Sequence, residues 1–119
     1  MRPVARTATR LVLLALGLVL LAGCAGGDGA DAQPVKGVTE VAARQNKFTP
    51  QAIQVPAGTT VTWRFQDGQV PHDVKGAGLD SGKPRAEGAY AHAFDQPGTY
   101  GYRCTLHPGM TGKVVVTAG

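Results

Sequence analysis

The sequence GTYGYRCTLHPGMTGKVVV, residues 98–116, joins two strand-like runs through a short loop. The run TYGYRC precedes the loop and the run KVVVTA follows it. Between them stand a thiol, an imidazole and a thioether, from Cys104, His107 and Met110. A strand holds each end of the loop and Pro108 fixes its own φ, so we expect the three side chains to converge on one point.

Alternating apolar and polar residues predict further short strands upstream. In TTVTWRF, residues 59–65, Val61, Trp63 and Phe65 fall on one face, a period of two that is typical of a half-buried strand. VTEVAA, AIQVPAG and AYAHAF are also predicted strands, whereas the Gly-rich residues 75–88 are predicted to form a loop. Several short strands between Gly and Pro turns predict an all-β sandwich or closed barrel.

The first 23 residues predict a lipoprotein signal peptide. Arg2, Arg6 and Arg10 precede the apolar run LVLLALGLVLLA, which is short for a membrane span. The run ends in LAGC, which resembles a bacterial lipobox. This resemblance implies that Cys24 receives a lipid and becomes the first residue of an extracytoplasmic protein anchored to a bacterial membrane. The alternative is an ordinary secretory signal with a chance cysteine.

The remainder divides into a tether and one domain. Residues 24–36 begin with the lipidated cysteine and are otherwise rich in Gly, Ala and Asp, which predicts a flexible tether. Residues 37–119 are the predicted globular domain. Without the signal, nine of the twelve Lys and Arg residues remain against all eight Asp and Glu residues, a formal charge of +1. This balance argues against nucleic-acid binding.

The scarce sulfur residues indicate a metal site. If Cys24 carries a lipid, Cys104 is a lone thiol in an oxidising compartment, where it oxidises unless it is buried or ligated. Met110 is the one methionine left after cleavage, and QVPHDV supplies a second imidazole, His72. Zinc sites rarely use a thioether. Two His, one Cys and a weak axial Met are instead typical of an electron-transfer copper site.

Each candidate ligand also has a structural interpretation. Cys104 can be a small buried hydrophobe, Met110 a core side chain and His72 a turn residue. His92 shares a strand face with Tyr90 in AYAHAF, so we predict a structural role for it. The other residues predicted to be core are Trp63, Phe65, Phe94 and Val115.

From about residue 47 onward, the sequence resembles the cupredoxins, which are small blue copper proteins. The matching segments are FTPQAIQVPAGTTVTW, PHDV and GTYGYRCTLHPGMTGKVVV. The Cys-x-x-His-x-x-Met spacing is most similar to that of the short-loop members, amicyanin and pseudoazurin. The resemblance implies a Greek-key β-sandwich that binds one type 1 copper ion. The implied ligands are His72, Cys104, His107 and Met110.

Two positions depart from the family pattern. Asp73 stands where members usually have an Asn that ties the two ligand-bearing loops together. We expect its carboxylate to accept the same backbone bonds and, through its charge, to favour Cu(II) and lower the reduction potential. Phe65 stands where members commonly have Asn and is interpreted as core packing.

The resemblance implies a one-electron carrier, not an enzyme, that cycles between Cu(II) and Cu(I). Its partners would be redox proteins, reached as a monomer through an apolar patch of Leu106, Pro108, Gly109 and Pro71 around His107. A copper-binding or delivery protein without fast electron transfer is the alternative. A copper enzyme would need a second ligand cluster and a longer chain than this sequence offers.

Overall fold

The computed structural model describes residues 32–119, which form two β-sheets packed face to face. The predicted signal peptide, the predicted lipidation site Cys24 and residues 25–31 of the predicted tether lie outside the described residues. Within residues 32–119, no helix is long and apolar enough to cross a membrane. The described secondary structure consists of β-strands and turns, which confirms the predicted all-β class.

Ten strands follow one another along the described chain. They are β1 (Val35–Lys36), β2 (Glu40–Arg44), β3 (Lys47–Thr49), β4 (Ala52–Pro56), β5 (Thr59–Gln66), β6 (Lys75–Gly76), β7 (Leu79–Asp80), β8 (Glu87–Phe94), β9 (Gly98–Arg103) and β10 (Thr111–Thr117). The six-stranded sheet has the order β1-β4-β10-β9-β6-β7, and the four-stranded sheet has the order β3-β2-β5-β8. Because the chain passes repeatedly from one sheet to the other, both sheets share one core.

The β9–β10 pair fixes the loop quoted above. These strands are antiparallel neighbours, and their register places Arg103 opposite Thr111. On its other side, β10 pairs in parallel with β4. Residues 104–110 therefore leave one inner strand of the six-stranded sheet and return on the next, so both ends of the loop are fixed by ladder hydrogen bonds.

Alternation along the strands determines which side chains form the core. In β5, Val61, Trp63 and Phe65 are buried while the residues between them face outward. In β10, the inward positions are Val114 and Val116. The prediction that Val115 belongs to the core is wrong, because successive side chains of a strand point to opposite faces and Val115 is only half-buried.

An aromatic cluster occupies the space between the sheets. The Trp63 ring is fully buried, and its centroid lies 5.2 Å from that of Tyr102 and 6.3 Å from that of Phe94. Burying a large apolar side chain contributes about 2–3 kcal/mol to the free energy of unfolding. Cys104 and Met110 belong to the same buried cluster, so the ligand-bearing residues rest on rigid packing.

Residues 75–88 differ from the predicted loop. They contain β6, β7 and the start of β8, and β6 pairs with β9 in the six-stranded sheet. Two buried side chains, Val74 and Leu79, anchor the segment, and the Val74 N–H donates to the Ser81 hydroxyl at 2.7 Å. Strands of two residues are too short to show an alternation in the sequence, which explains the difference.

Two other strands lie outside the predictions. Val35–Lys36 forms β1 at the edge of the six-stranded sheet, at the end of the predicted tether. The sequence gives no signal for this strand, because its main-chain pairing with β4 depends little on the side chains. The other, β3, follows a tight turn in which Gln45 and Asn46 adopt φ values of 52° and 57°. Two left-handed residues are typical of a type I′ hairpin. Such turns usually contain glycine, and because Gln45-Asn46 contains none, the sequence did not predict this hairpin.

Candidate metal centre

The ligand loop, residues 104–110, is closed by its own backbone. The Cys104 N–H donates to the Met110 carbonyl at 2.9 Å, and the Met110 N–H donates to the His107 carbonyl at 3.1 Å. These two bonds join the three residues that the sequence selected as ligands. Local hydrogen bonds therefore hold the thiol, the imidazole and the thioether in one turn.

His72 reaches the same place from a distant part of the chain. Its backbone N–H and carbonyl each bond to Arg85 at 2.9 Å, and its side chain is fully buried. The His72 Nδ1 atom lies 4.0 Å from the Cys104 Sγ atom, and its ring centroid lies 4.8 Å from that of His107. One donor atom from each of His72, Cys104 and His107 lies within 4.8 Å of the other two.

Hydrogen bonding selects the tautomer of both imidazoles. The His72 Nε2 atom lies 2.7 Å from the Asp67 Oδ2 atom, and the His107 Nε2 atom lies 3.1 Å from the Pro71 carbonyl oxygen. A carboxylate and a carbonyl can only accept, so each Nε2 atom carries the hydrogen. In the neutral rings, the Nδ1 lone pairs are left for a metal ion.

The candidate ligands differ in exposure. Cys104 and Met110 are 3% and 1% exposed, and Cys104 forms no disulfide within residues 32–119. His107 is half-buried. Among the four candidate ligands, His107 is thus the one that reaches solvent.

Asp67 supports the site but was not predicted from the sequence. Its Oδ2 atom accepts from His72 Nε2 and also from the Gln45 N–H at 2.9 Å. The pKa of Asp67 lies below its ordinary value because His72 and then the Gln45 N–H donate to the carboxylate. A carboxylate behind a ligating imidazole orients the ring and increases its basicity. In the sequence, Asp67-Gly68 indicates only a turn.

Asp73 connects the His72 segment, residues 71–74, to the ligand loop. It is 2% exposed, and its two carboxylate oxygens accept from the Thr105 N–H at 2.7 Å and the Thr105 hydroxyl at 2.6 Å. This is the connection that the resemblance implied for the residue after His72. The hydroxyl bond from Thr105 adds a donor that the sequence comparison had not suggested.

The exposed residues around His107 are mostly apolar. Leu106 and Val70 are each 40% exposed, and they are two of the three exposed large hydrophobic residues in the described chain. Val70 was not predicted to belong to this patch. The residues that were predicted for it, namely Leu106, Pro71, Pro108 and Gly109, are all exposed.

His92 is not part of this site. It is half-buried on β8, and its ring packs edge-on against Phe94 with a centroid distance of 4.7 Å. The metal-ligand group found within residues 32–119 comprises His72, Cys104 and His107 without it. This arrangement agrees with the structural role predicted for His92.

The donor atoms fit copper. Two imidazole nitrogens with free lone pairs, a buried thiol without a disulfide and, in the same loop as the thiol, the thioether of Met110 form a soft donor set. Such sets favour copper, whereas zinc sites rarely include methionine. The residues present can therefore hold one copper ion.

Comparisons with known proteins agree with this chemistry. The family described as "Cupredoxin-like domain" matches residues 11–116. Amicyanin-alpha of Methylorubrum extorquens is 39% identical over 87 residues, which cover 67% of this chain and 72% of that protein. Amicyanin of Paracoccus denitrificans is 36% identical over 94 residues, or 73% and 71% of the two chains. The crystal structure of amicyanin from Paracoccus versutus superposes with a TM-score of 0.59 at 30% identity, covering 76% of this chain and 89% of that one. This chain belongs to the cupredoxins, which bind one copper ion.

Proposed function

We propose that this chain is a one-electron carrier in which His72, Cys104, His107 and Met110 hold a type 1 copper ion. When bound, the copper supplies the redox chemistry by alternating between Cu(II) and Cu(I). The observation that carries the proposal is the convergence of a buried imidazole and a buried thiol, from His72 and Cys104, with the half-buried imidazole of His107. The similar chains are named amicyanin and plastocyanin, which supports electron transfer rather than an enzymatic reaction.

The surrounding residues suit a site that changes little between oxidation states. Asp67 and the backbone of Arg85 fix His72, and Asp73 fixes the ligand loop through Thr105. Side chains held by bonds from several segments of the chain keep their positions whichever charge the site carries. Little rearrangement then accompanies each electron transfer.

The patch of Leu106, Pro71, Pro108 and Gly109, extended by Val70, would be the docking face. Proline and glycine project little from the surface, so a partner's cofactor can approach the exposed edge of His107. Small apolar interfaces give the brief, weak encounters that are typical of redox proteins. The carrier would act as a monomer that meets its electron donor and acceptor, both redox proteins, in turn.

We also propose that Cys24 carries a lipid that anchors the domain to the extracytoplasmic face of a bacterial membrane. The lipobox-like LAGC and the preceding basic and apolar residues support this location. Mass spectrometry of the mature N-terminus tests it. An unmodified Cys24, or a mature chain that begins elsewhere, would contradict the anchor.

Electron self-exchange tests the carrier function. In mixtures of Cu(I) and Cu(II) protein, NMR signals of Leu106 and Pro108 should broaden in proportion to the oxidised fraction. Pro108→Glu should slow exchange about tenfold, because bringing a carboxylate into an apolar contact removes it from water without a partner. Pro97→Glu, at an exposed proline just before the opposite end of β9, is the matched control and should have little effect.

Copper delivery is the competing function. A delivery protein would show slow self-exchange and would quickly release Cu(I) to the chelator bathocuproine disulfonate. That pair of results would contradict the carrier proposal. Fast exchange with slow release of Cu(I) would support it.

A further inference from the structure

Basic residues dominate the six-stranded sheet. Its strands carry Lys36, Lys75, Arg103 and Lys113 but a single carboxylate, Asp80. The four-stranded sheet is closer to balance, with Arg44, Lys47 and Arg64 against Glu40 and Glu87. Positive charge is therefore concentrated on one side of the sandwich.

Two of these cations lie directly opposite each other. Lys75 on β6 and Arg103 on β9 are register partners, so their side chains share one face of the sheet. Like charges in this arrangement destabilise a sheet. Asp80, the register partner of Lys75 on β7, pairs with its ammonium group. No ion pair forms at exposed Arg103 within residues 32–119, so one positive charge stays uncompensated there.

This basic pair lies next to the candidate metal centre. Arg103 immediately precedes Cys104, and Lys75 follows the His72 segment by one residue. Lys75 and Arg103 are thus the last register partners of β6 and β9 before the chain enters the ligand loop. Apart from Asp80, which pairs with Lys75, the carboxylates near this end are bonded elsewhere, Asp67 to His72 and Asp73 to Thr105.

Arg85 adds a third positive charge beside His72. Its backbone forms both hydrogen bonds to His72, and its guanidinium lies 5.0 Å from the centroid of the Phe65 ring. Stacking on an aromatic ring holds a guanidinium without neutralising it. Arg85 thus carries a positive charge at the end of the sandwich that holds His72, with its guanidinium against Phe65 of the four-stranded sheet.

We infer that Lys75 and Arg103 form a docking rim for an acidic redox protein, whose carboxylates pair with them while its apolar surface covers Leu106. This inference rests on the proposed electron-carrier function and names the chemistry of the partner. Complementary charge steers association and fixes orientation, and it raises association rates by roughly 10- to 1,000-fold at low salt. An acidic partner would compensate the positive charge that stays unpaired at Arg103.

A glutamate-rich peptide provides the test. The probe is a peptide with six consecutive glutamates, titrated into the full-length Cu(I)-loaded chain in non-ionic detergent at about 10 mM salt, where screening is weak. NMR should show shifts centred on Lys75 and Arg103. Arg103→Glu should raise the Kd about tenfold.

Lys36→Glu is the matched control because it makes the same change in net charge on the same sheet. From the pairing of β1, β4, β10 and β9, Lys36 lies three strands across and four residues along from Arg103, a distance of roughly 20 Å. It should raise the Kd less than about threefold. Equal losses in both variants would mean that only net charge matters and would overturn the inference.

Two further measurements separate the remaining outcomes. Binding to phosphatidylglycerol vesicles that depends on Arg103, together with peptide binding that does not, would assign the rim to a membrane and overturn the inference. Self-exchange at high salt, measured on the same variants, reports on the carrier function alone. If self-exchange is normal but Arg103→Glu does not change the Kd of the peptide, the acidic partner is refuted and the carrier function stands. If self-exchange is absent, the carrier function is refuted.

Discussion

The ligand loop and the His72 segment bring candidate ligands to the same point by different means. Residues 104–110 hold themselves in place through backbone bonds among Cys104, His107 and Met110. The His72 segment depends on residues from other parts of the chain, namely Asp67, Arg85 and Thr105. We conclude that the loop defines the ligand set and that long-range bonds to the His72 segment complete the site. Substitutions in those bonds should alter the site without touching a ligand.

Removing the connection between the two regions should have the largest effect. Asp73→Ala takes away both acceptors of Thr105 and leaves a partly buried N–H without a partner. We expect the free energy of unfolding of the copper-free protein to fall by about 2–3 kcal/mol, because hydrogen bonds to a charged group are strong. Urea denaturation measures this change.

Two variants at this connection serve as controls. Thr105→Val removes the hydroxyl bond alone and should cost about half as much. Asp73→Asn keeps an acceptor for the Thr105 N–H but removes the charge, so it should raise the reduction potential in voltammetry. A potential that stays unchanged or falls in Asp73→Asn would contradict an electrostatic role for this carboxylate.

Weakening the support of His72 should have the next largest effect. Asp67→Asn replaces a charged acceptor of the His72 N–H with a neutral amide. Changes behind a metal-ligating histidine typically lower metal affinity 10- to 100-fold, and we expect a loss in this range for copper. Competition with a chelator of known affinity measures it. An unchanged affinity would mean that Arg85 alone suffices to position His72.

Acid should loosen the segment around Asp80, residues 75–85, and this is the smallest expected effect. The pKa of Asp80 is lowered by its bond to Lys75 and then by the Gly82 N–H. A carboxyl with a lowered pKa stabilises the fold above about pH 4, and this stabilisation is lost as the pH falls through the folded-state pKa. Amide exchange at Gly82, corrected for intrinsic rates, should therefore increase at pH 3 relative to pH 6.

The Cys104 amide provides the internal comparison in the same experiment. It donates to the Met110 carbonyl, and the ligand loop contains no Asp or Glu. Because its acceptor is a backbone carbonyl, which does not ionise, its protection should change less between pH 6 and pH 3 than that of Gly82. In Asp80→Asn, Gly82 should lose its pH dependence. A pH dependence that persists in this variant would assign the effect to another carboxyl group.

The sequence was sufficient to select the candidate ligands because three of them are close together in the chain. Cys104, His107 and Met110 occupy one loop between two recognisable strands, so local spacing was sufficient. His72 followed from the need for a second nitrogen and from the resemblance to cupredoxins. The connection through Asp73 also followed from that resemblance, and its carboxylate accepts from Thr105 as expected.

The supporting residues could not be predicted because their roles depend on contacts between distant segments. Asp67 follows the end of β5 and indicates only a turn, yet its carboxylate joins Gln45 to His72. The strands β6 and β7 were missed for a related reason. Pairing with β9 and the burial of Leu79 stabilise them, and neither interaction leaves a periodic pattern in two residues.

Visible absorption and EPR spectra of the copper-loaded chain test the central claim most directly, which is that His72 and the ligand loop bind one copper ion through the Cys104 thiolate. We predict an intense blue absorption band and a narrow copper hyperfine splitting, both lost in Cys104→Ser. An oxidised, copper-loaded sample that stays colourless would contradict the account. A Cys104→Ser spectrum identical to that of the unaltered chain would contradict it as well.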